Sequence, residues 1–170
     1  MRDSNSTVST DHLSIYLNDH LAGSVAALEL IEHLASNYPD TTLENFFAEL
    51  HTDISADQDV LRDLLHTFDA EESTVRKAGA WLAEKVGRAK FGLKENEVGG
   101  TGLLEALEAL AMGITGKQLL WRALAAASEA MPQLRGLDYA HLEKRVKEQR
   151  DRVEQKRLAA AREAFKPRDV

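Results

Sequence analysis

Four polar side chains fall on helix faces that are otherwise apolar: His20, Asp57, Gln118 and Gln149. At a turn of about 100° per residue, His20 and Asp57 each lie within about 20° of the centre of an apolar stripe. Gln118 and Gln149 hold equally central positions on two later helices. A buried polar group without a partner costs about 1–3 kcal/mol. We therefore expect these four side chains to hydrogen-bond to one another or to water.

The heights of the four residues along their helices also match. His20 lies twenty residues before the turn at Asp40, and Asp57 lies seventeen residues after it. At a rise of about 1.5 Å per residue, the two side chains are within about 5 Å of the same height. Gln118 and Gln149 are about equally distant from the later turn between their helices. The sequence predicts one buried polar layer, with His20 and Asp57 in direct or water-bridged contact.

Three interpretations of this layer compete. The first is a hydrogen-bonded core layer that fixes the register of the helices. The second is a pocket for a small ligand or a single metal ion, to which His20 would bring an imidazole and Asp57 a carboxylate. The third is an enzyme in which Asp57 orients His20 as a general base. No nucleophile or oxyanion donor accompanies His20, so we favour the first and predict no catalytic residue, no metal ligand set and no cofactor.

The spacing of apolar residues predicts five helices that would position this layer. They span about residues 11–37, 42–67, 70–90, 102–130 and 139–165. Thr41 with Glu44 forms a capping box before the second helix, and Asp138 is the expected N-cap of the fifth. Gly113 and Gly116 lie inside the fourth helix, where glycine is unfavourable. They suggest a kink or a close crossing with another helix.

Short connections between the predicted helices indicate how the helices are arranged. Those at residues 38–41, 68–71 and 131–137 force sequential helices to run antiparallel. The predicted fold class is all-α, an antiparallel up-and-down bundle of four core helices plus a fifth C-terminal helix with a thin apolar stripe. We expect a disordered tail at 1–10, a single bundle domain at 11–165 and a short tail at 166–170.

Composition excludes several functional classes. The 170 residues include no cysteine, so disulfides, thiolate zinc sites, iron–sulfur clusters and cysteine nucleophiles are ruled out. The net charge of −7 disfavours nucleic acid as a partner. The first residues contain no apolar run typical of a signal peptide, and no apolar stretch is long enough to span a bilayer. The sequence predicts a cytoplasmic, acidic protein with neither a nucleic-acid nor a membrane partner.

The opening segment LSIYLNDHLAGSVAALELIEHLA and the up-and-down layout resemble the ferritin-like bundles, in particular small, uncharacterised bacterial members. The resemblance covers the layout of residues 11–165. It implies a bundle whose di-iron members carry Glu-x-x-His pairs that point inward. This chain has no such pair. Its nearest approaches are Glu29 with Glu32, Glu105 with Glu108 and Asp63 with His66. The first pair and Asp63 lie away from their apolar stripes, so the resemblance is to the layout and not to the di-iron site.

Two functional hypotheses follow from these observations. The favoured one is a non-enzymatic scaffold or accessory protein that acts through helix–helix contacts, as a homo-oligomer or with a protein partner. The alternative is a ferritin-like bundle with a small-ligand or metal site in its core around His20 and Asp57.

Overall fold

The computed structural model describes residues 4–68 and 101–167. These residues form four α-helices and one short 3-10 helix, with no β-strand among them. The α-helices are α1 (Ser4–Asn37), α2 (Thr42–Thr67), α3 (Gly102–Ala127) and α4 (Tyr139–Ala164), and the 3-10 helix is Pro132–Leu134. The all-helical class predicted from the sequence is confirmed. The third predicted helix, at about 70–90, lies outside the described residues.

A tight turn between α1 and α2 follows the sequence signals closely. Pro39 lacks the backbone N–H that a continuing helix needs, and Asp40 adopts a φ of 59°, a left-handed conformation that aspartate tolerates. Thr41 Oγ1 then accepts a hydrogen bond from the Glu44 backbone N–H at 3.3 Å. The Glu44 carboxylate accepts one from the Asp40 N–H at 2.7 Å. Helix α2 therefore begins with the predicted cap.

The start of α1 differs from the prediction. The helix begins at Ser4, whereas the sequence pattern places its start near residue 11. Serine and threonine favour caps and turns, which made this segment read as a tail. Within α1, the Ser14 hydroxyl donates to the Thr10 carbonyl one turn earlier, at 2.9 Å. Such back-bonding accommodates a hydroxyl inside a helix.

The connection between α3 and α4 is held by side-chain contacts. Asp138 is the N-cap of α4, and its carboxylate accepts from the His141 backbone N–H at 3.0 Å. Leu134, in the 3-10 helix, is fully buried. The Tyr139 hydroxyl donates to the Leu134 carbonyl at 2.8 Å. The turn is thus anchored to the core on one side and capped on the other.

Contacts between helices fix their relative directions. His51 Nε2 of α2 lies 3.1 Å from Glu32 Oε1 of α1. Further along, Gln58 Nε2 of α2 donates to Ser24 Oγ of α1 at 2.8 Å. The order of these two contacts makes α1 and α2 antiparallel. Across α3 and α4 the pairs are Lys117–Gln149, Gln118–Arg150, Arg122–Glu143 and Glu108–Arg157. Across α2 and α4 they are Asp57–Gln149 and Asp53–Arg152. Each of these helix pairs is therefore antiparallel, and α1 also packs against α3.

The helices contribute unequally to the hydrophobic core. Helix α3 buries nine side chains, among them Trp121, which is completely buried. Helix α4 buries only four: Leu142, Val146, Gln149 and Val153. Because each fully buried aliphatic side chain contributes about 1.5–3 kcal/mol, α3 anchors the bundle and α4 lies along one side of it. None of the described helices combines the length and apolarity needed to cross a membrane.

Candidate functional site

A buried carboxylate joins three of the helices. Asp57 of α2 is only 2% exposed. Its Oδ2 accepts hydrogen bonds from Gln149 Nε2 of α4, at 2.8 Å, and from Lys117 Nζ of α3. Lys117 Nζ also donates to Gln149 Oε1 at 2.7 Å, which closes a ring of three side chains.

A second cation approaches the same carboxylate. Arg145 Nη2 of α4 lies 2.8 Å from Asp57 Oδ1. The guanidinium N–H is not directed at this oxygen, which accepts no hydrogen bond from any residue that the structure describes. Arg145 Nη2 donates instead to the Asp53 backbone carbonyl, at 3.4 Å. Asp57, Lys117, Arg145 and Gln149 together form what we call the Asp57 cluster.

More exposed charge pairs continue the contact between α2 and α4. Arg152 pairs with Asp53 and lies 3.7 Å from Glu49, one helical turn further along α2. Lys156 Nζ lies 5.4 Å from the centre of the Phe46 ring. Exposed ion pairs contribute only about 0–1 kcal/mol each, so these contacts align the helices without stabilising them strongly. The Asp57 cluster differs from them because its carboxylate is buried.

The buried position changes the acid–base properties of Lys117. Burial lowers the pKa of its ammonium group, because surroundings of low polarity disfavour the charged form. The charge and hydrogen bond of Asp57 act in the opposite direction, and the positive charge of Arg145 lowers the pKa further. The pKa of Lys117 is lowered overall, so the effect of burial is larger than that of the attraction to Asp57.

Next to the cluster lies a cavity of about 240 Å³ between α1, α2 and α3. Its apolar walls include Ile54, Leu61, Ile114 and Leu120. Its polar lining residues include His20, Ser24, Gln58, Asp57 and Lys117. A mostly apolar cavity with a few convergent polar groups is the usual form of a small-molecule site.

Two glycines of α3 help to form this cavity. Gly113 and Gly116 both line it, and a Cβ built on either residue would meet no atom within 4 Å. The suggestion of a close helix crossing at these glycines is therefore wrong: no neighbouring helix approaches them. The absence of side chains at these two positions leaves open space beside Lys117.

His20 lines the cavity but does not join the Asp57 cluster. No hydrogen bond links its ring to Asp57 among the described residues, and the ring packs edge-on against Tyr16, with centroids 4.8 Å apart. Burial lowers the pKa of His20, and the negative charge of Asp19 opposes this effect. Asp57 and His20 thus face one cavity from two helices, and Asp57 does not orient the imidazole as a general base.

Of the four predicted layer residues, the structure hydrogen-bonds Asp57 to Gln149 and leaves Gln118 outside. Gln118 is half-buried and accepts a hydrogen bond from Arg150 Nη1 at 3.4 Å. One residue along a helix is a rotation of about 100°, and it is Lys117 that faces α2. Lys117 therefore takes the place predicted for Gln118.

Trp121, one turn beyond Lys117, contributes an unpaired donor. It lines the cavity and is fully buried, yet its Nε1–H has no hydrogen-bond partner among the described residues. A buried donor without a partner is uncommon in proteins and costs about 1–3 kcal/mol. In the part of the lining formed by α1 and α2, Gln58 Nε2 donates to Ser24 Oγ, which in turn donates to the Leu21 carbonyl at 2.6 Å.

Sequence reasoning missed Lys117 and Arg145, because lysine and arginine at the margin of an apolar stripe usually point to solvent. A signal was nevertheless present. A central aspartate on α2 requires a buried partner, and Lys117 stands beside Gln118, at the height already assigned to Asp57. The unpaired N–H of Trp121 has no signal in the sequence, because a tryptophan among leucines and alanines is typical of a packing residue.

The donor set at this site suits a small organic molecule better than a metal ion. Within residues 4–68 and 101–167, no group of three or more histidine, aspartate or glutamate side chains is arranged to hold one. The carboxylate of Asp57 is already engaged by cationic side chains.

No family model, no curated protein and no solved structure matches this chain.

Proposed function

We propose that the protein binds a small organic molecule in the cavity between α1, α2 and α3. The observation that carries this proposal is the cavity of about 240 Å³ beside the Asp57 cluster, whose lining includes the largely buried cation Lys117. A ligand that accepts hydrogen bonds would bind to the ammonium group of Lys117. The proposal develops the second interpretation of the polar residues, centred on His20 and Asp57, in its small-ligand form rather than its metal form.

The volume limits the size of the ligand. At the packing density of protein interiors, this cavity holds roughly ten to twelve non-hydrogen atoms. Its apolar lining residues favour a hydrocarbon or aryl body, and Lys117 and Asp57 add charged groups to the lining. The ligand is therefore amphipathic and compact.

We further propose the finer architecture that the sequence predicts, a ferritin-like bundle of four core helices and a fifth, acidic overall and located in the cytoplasm. The antiparallel pairing of α1 with α2, α2 with α4 and α3 with α4 supports the up-and-down layout. In ferritin-like proteins, sites in the bundle core are built from side chains on facing helices. The proposed cavity has the same kind of location.

A scaffold that acts through helix–helix contacts remains the second candidate. Large apolar side chains on two helices support it: Ile15 of α1 is 61% exposed and Leu119 of α3 is 57% exposed. Exposed apolar patches often mark contacts with a protein partner or a second copy. Light scattering of the purified chain tests for self-association: a monomer at micromolar concentration would argue against the homo-oligomer and leave a protein partner as the alternative.

Thermal unfolding with small probes tests the proposed function. The probes are 3-phenylpropanoate, 3-phenylpropanamide and 3-phenylpropylamine, which have about the size that the cavity accommodates. A ligand that binds only the folded state raises Tm. We expect at least one probe to raise the Tm of the unmodified chain at millimolar concentration.

Matched glycine variants show whether binding occurs in the cavity. Gly116→Leu places a side chain in the cavity, whereas Gly136→Leu adds the same side chain at an exposed position outside it. The Tm shift should be lost in Gly116→Leu and kept in Gly136→Leu. An unchanged Tm with all three probes, or an equal shift in Gly116→Leu, overturns the proposed function.

A further inference from the structure

The Asp57 cluster contains more positive than negative charge. Lys117 and Arg145 both contact Asp57, which is the only carboxylate among the four cluster residues. The nearby carboxylate of Asp53 is engaged by a different cation, Arg152. Arg145 does not line the cavity itself, so the charge that the cluster presents to the cavity is that of Lys117, beside a carboxylate already shared with Arg145. From this charge balance, we propose that the ligand of the cavity is a small monocarboxylate with an apolar body.

Lys117 has a donor left for such a ligand. An ammonium group carries three N–H bonds, and two of them are used by Asp57 Oδ2 and Gln149 Oε1. Lys117 also lines the cavity, so the third N–H is available at its polar end. Trp121, four residues later on the same helix, also lines the cavity, so its ring lies in the same part of the lining as Lys117. A free ammonium N–H is a strong, charge-assisted donor to a carboxylate oxygen.

The negative charges nearby are compatible with this ligand. Asp57 Oδ2 accepts two hydrogen bonds, and Oδ1 lies 2.8 Å from Arg145, so the carboxylate of Asp57 is neutralised within the cluster. Asp19 lines the cavity but is solvent-exposed, where its charge is screened. A cationic ligand would instead meet the ammonium group of Lys117, and the buried carboxylate beside it is already paired with two cations.

The apolar walls specify the rest of the molecule. Ile54, Leu61, Ile114 and Leu120 line the same cavity as Lys117. Gly113 and Gly116 leave room for a flat or branched group against α3. A short aryl-alkyl or branched alkyl carboxylate fits both requirements. This inference rests on the proposed function, because it names the class of ligand for the same cavity.

Comparison of three probes that share a phenylpropyl skeleton tests the inference on the unmodified cavity. The sequence contains two tryptophans, so the Trp81→Phe chain keeps Trp121 as its single indole. Excitation at about 295 nm is selective for indole, so the fluorescence then reports on Trp121 alone. Fluorescence titrations then give the Kd of 3-phenylpropanoate, 3-phenylpropanamide and 3-phenylpropylamine. We expect the carboxylate to bind at least about tenfold more tightly than the amide, and the amine to bind most weakly, because hydrogen bonds to a charged group are stronger.

A charge-removing variant tests the role of Lys117. Lys117→Met removes the charge and shortens the unbranched side chain by one atom. It should weaken binding of the carboxylate at least about tenfold while changing binding of the amide little. Lys144→Met, at an exposed position of the same charge on α4, is the matched control and should change neither. If Lys117→Met fails to fold, as judged by circular dichroism, the comparison of the three probes on the Trp81→Phe chain decides the question.

The possible failures can be told apart. The amide or the amine could bind as tightly as the carboxylate while the Tm shift is still lost in Gly116→Leu. That result overturns the carboxylate class of ligand but not the proposed function. Binding of none of the three overturns both. Equal loss of carboxylate and amide binding in a folded Lys117→Met chain contradicts the role assigned to the ammonium group.

Discussion

Asp57 places a negative charge inside the bundle, where an ion without partners would be very unfavourable. Three side chains from two other helices surround it: Lys117, Arg145 and Gln149. A buried ion pair often stabilises a protein no more than apolar residues of similar size would, but removal of one partner is costly. This asymmetry gives a test of the Asp57 cluster that is independent of any ligand.

A double-mutant cycle on Asp57 and Lys117 applies this test. Asp57→Leu leaves the Lys117 ammonium buried without its carboxylate and should lower the free energy of unfolding by about 3–5 kcal/mol. Lys117→Met should cost less, because Arg145 and Gln149 still contact Asp57. The double variant should recover most of the loss, as measured by urea denaturation. Additive losses in the double variant would mean that the two side chains do not interact.

The sequence predicted part of this cluster for a clear reason. Asp57 and Gln149 lie at the centres of apolar stripes, so their burial could be expected from periodicity alone. Lys117 and Arg145 lie at stripe margins, where a long side chain can turn inward or outward. Gln118 and His20 were assigned to the same layer because height and stripe position are known only to within about one residue, or about 100° of rotation.

His20 should make stability depend on pH. Its pKa is lowered in the folded protein by burial, so below the ordinary value of about 6.5 the unfolded state binds more protons than the folded state. Stability therefore falls as pH decreases from about 6.5 toward the lowered pKa. NMR titration of the His20 ring should give a midpoint below that of a free histidine. In addition, the Tm of a His20→Gln chain should fall less when the pH is lowered from about 6.5. If Tm depended on pH equally in both chains, the effect would not come from His20.

At the scale of the helices, α3 combines a strongly buried face with two glycines that nothing covers. Gly113 and Gly116 interrupt a helix rich in leucine and alanine, and both are open to the cavity. Glycine inside a helix costs about 0.5–1 kcal/mol relative to alanine. A sequence that keeps glycine at two cavity positions forgoes that stability, and the proposed ligand site gives a reason for it.

Alanine at these positions should therefore stabilise the protein. Gly113→Ala and Gly116→Ala should each raise the free energy of unfolding by up to about 1 kcal/mol, because the added methyl group meets no neighbouring atom. Urea denaturation at fixed pH measures the change. A loss of stability in either variant would show that another helix does approach these residues, as the sequence first suggested.

The boundaries of the helices were predicted most accurately where a cap fixes them. Helix α2 spans Thr42–Thr67, as the pattern after Thr41 indicated, and Asp138 caps α4 as expected. Helix α1 extends further toward the N-terminus than its apolar stripe does, because local hydroxyl–carbonyl contacts do not require an apolar face. Helix ends without a cap are not specified by periodicity.

At the scale of the whole molecule, polar and apolar contacts are divided between two sides of the described bundle. The ion pairs between α2 and α4 bring these helices together along Asp53 and Asp57. On the side of α1 and α3, small side chains such as Ala27, Gly113 and Gly116 leave the cavity open. The Asp57 cluster lies between the two sides. The same residues can therefore hold helices together and present a charge to a ligand.

The most direct measurement of this account observes Trp121 itself. In a ¹⁵N-labelled Trp81→Phe chain, one indole N–H signal remains in the ¹H–¹⁵N correlation spectrum, and it belongs to Trp121, a residue that lines the cavity. We expect 3-phenylpropanoate to shift this signal in a saturable manner, and we expect no such shift in the Trp81→Phe/Gly116→Leu chain. A signal that does not move up to millimolar probe, or that moves equally in both chains, would contradict the proposal that the cavity is a binding site.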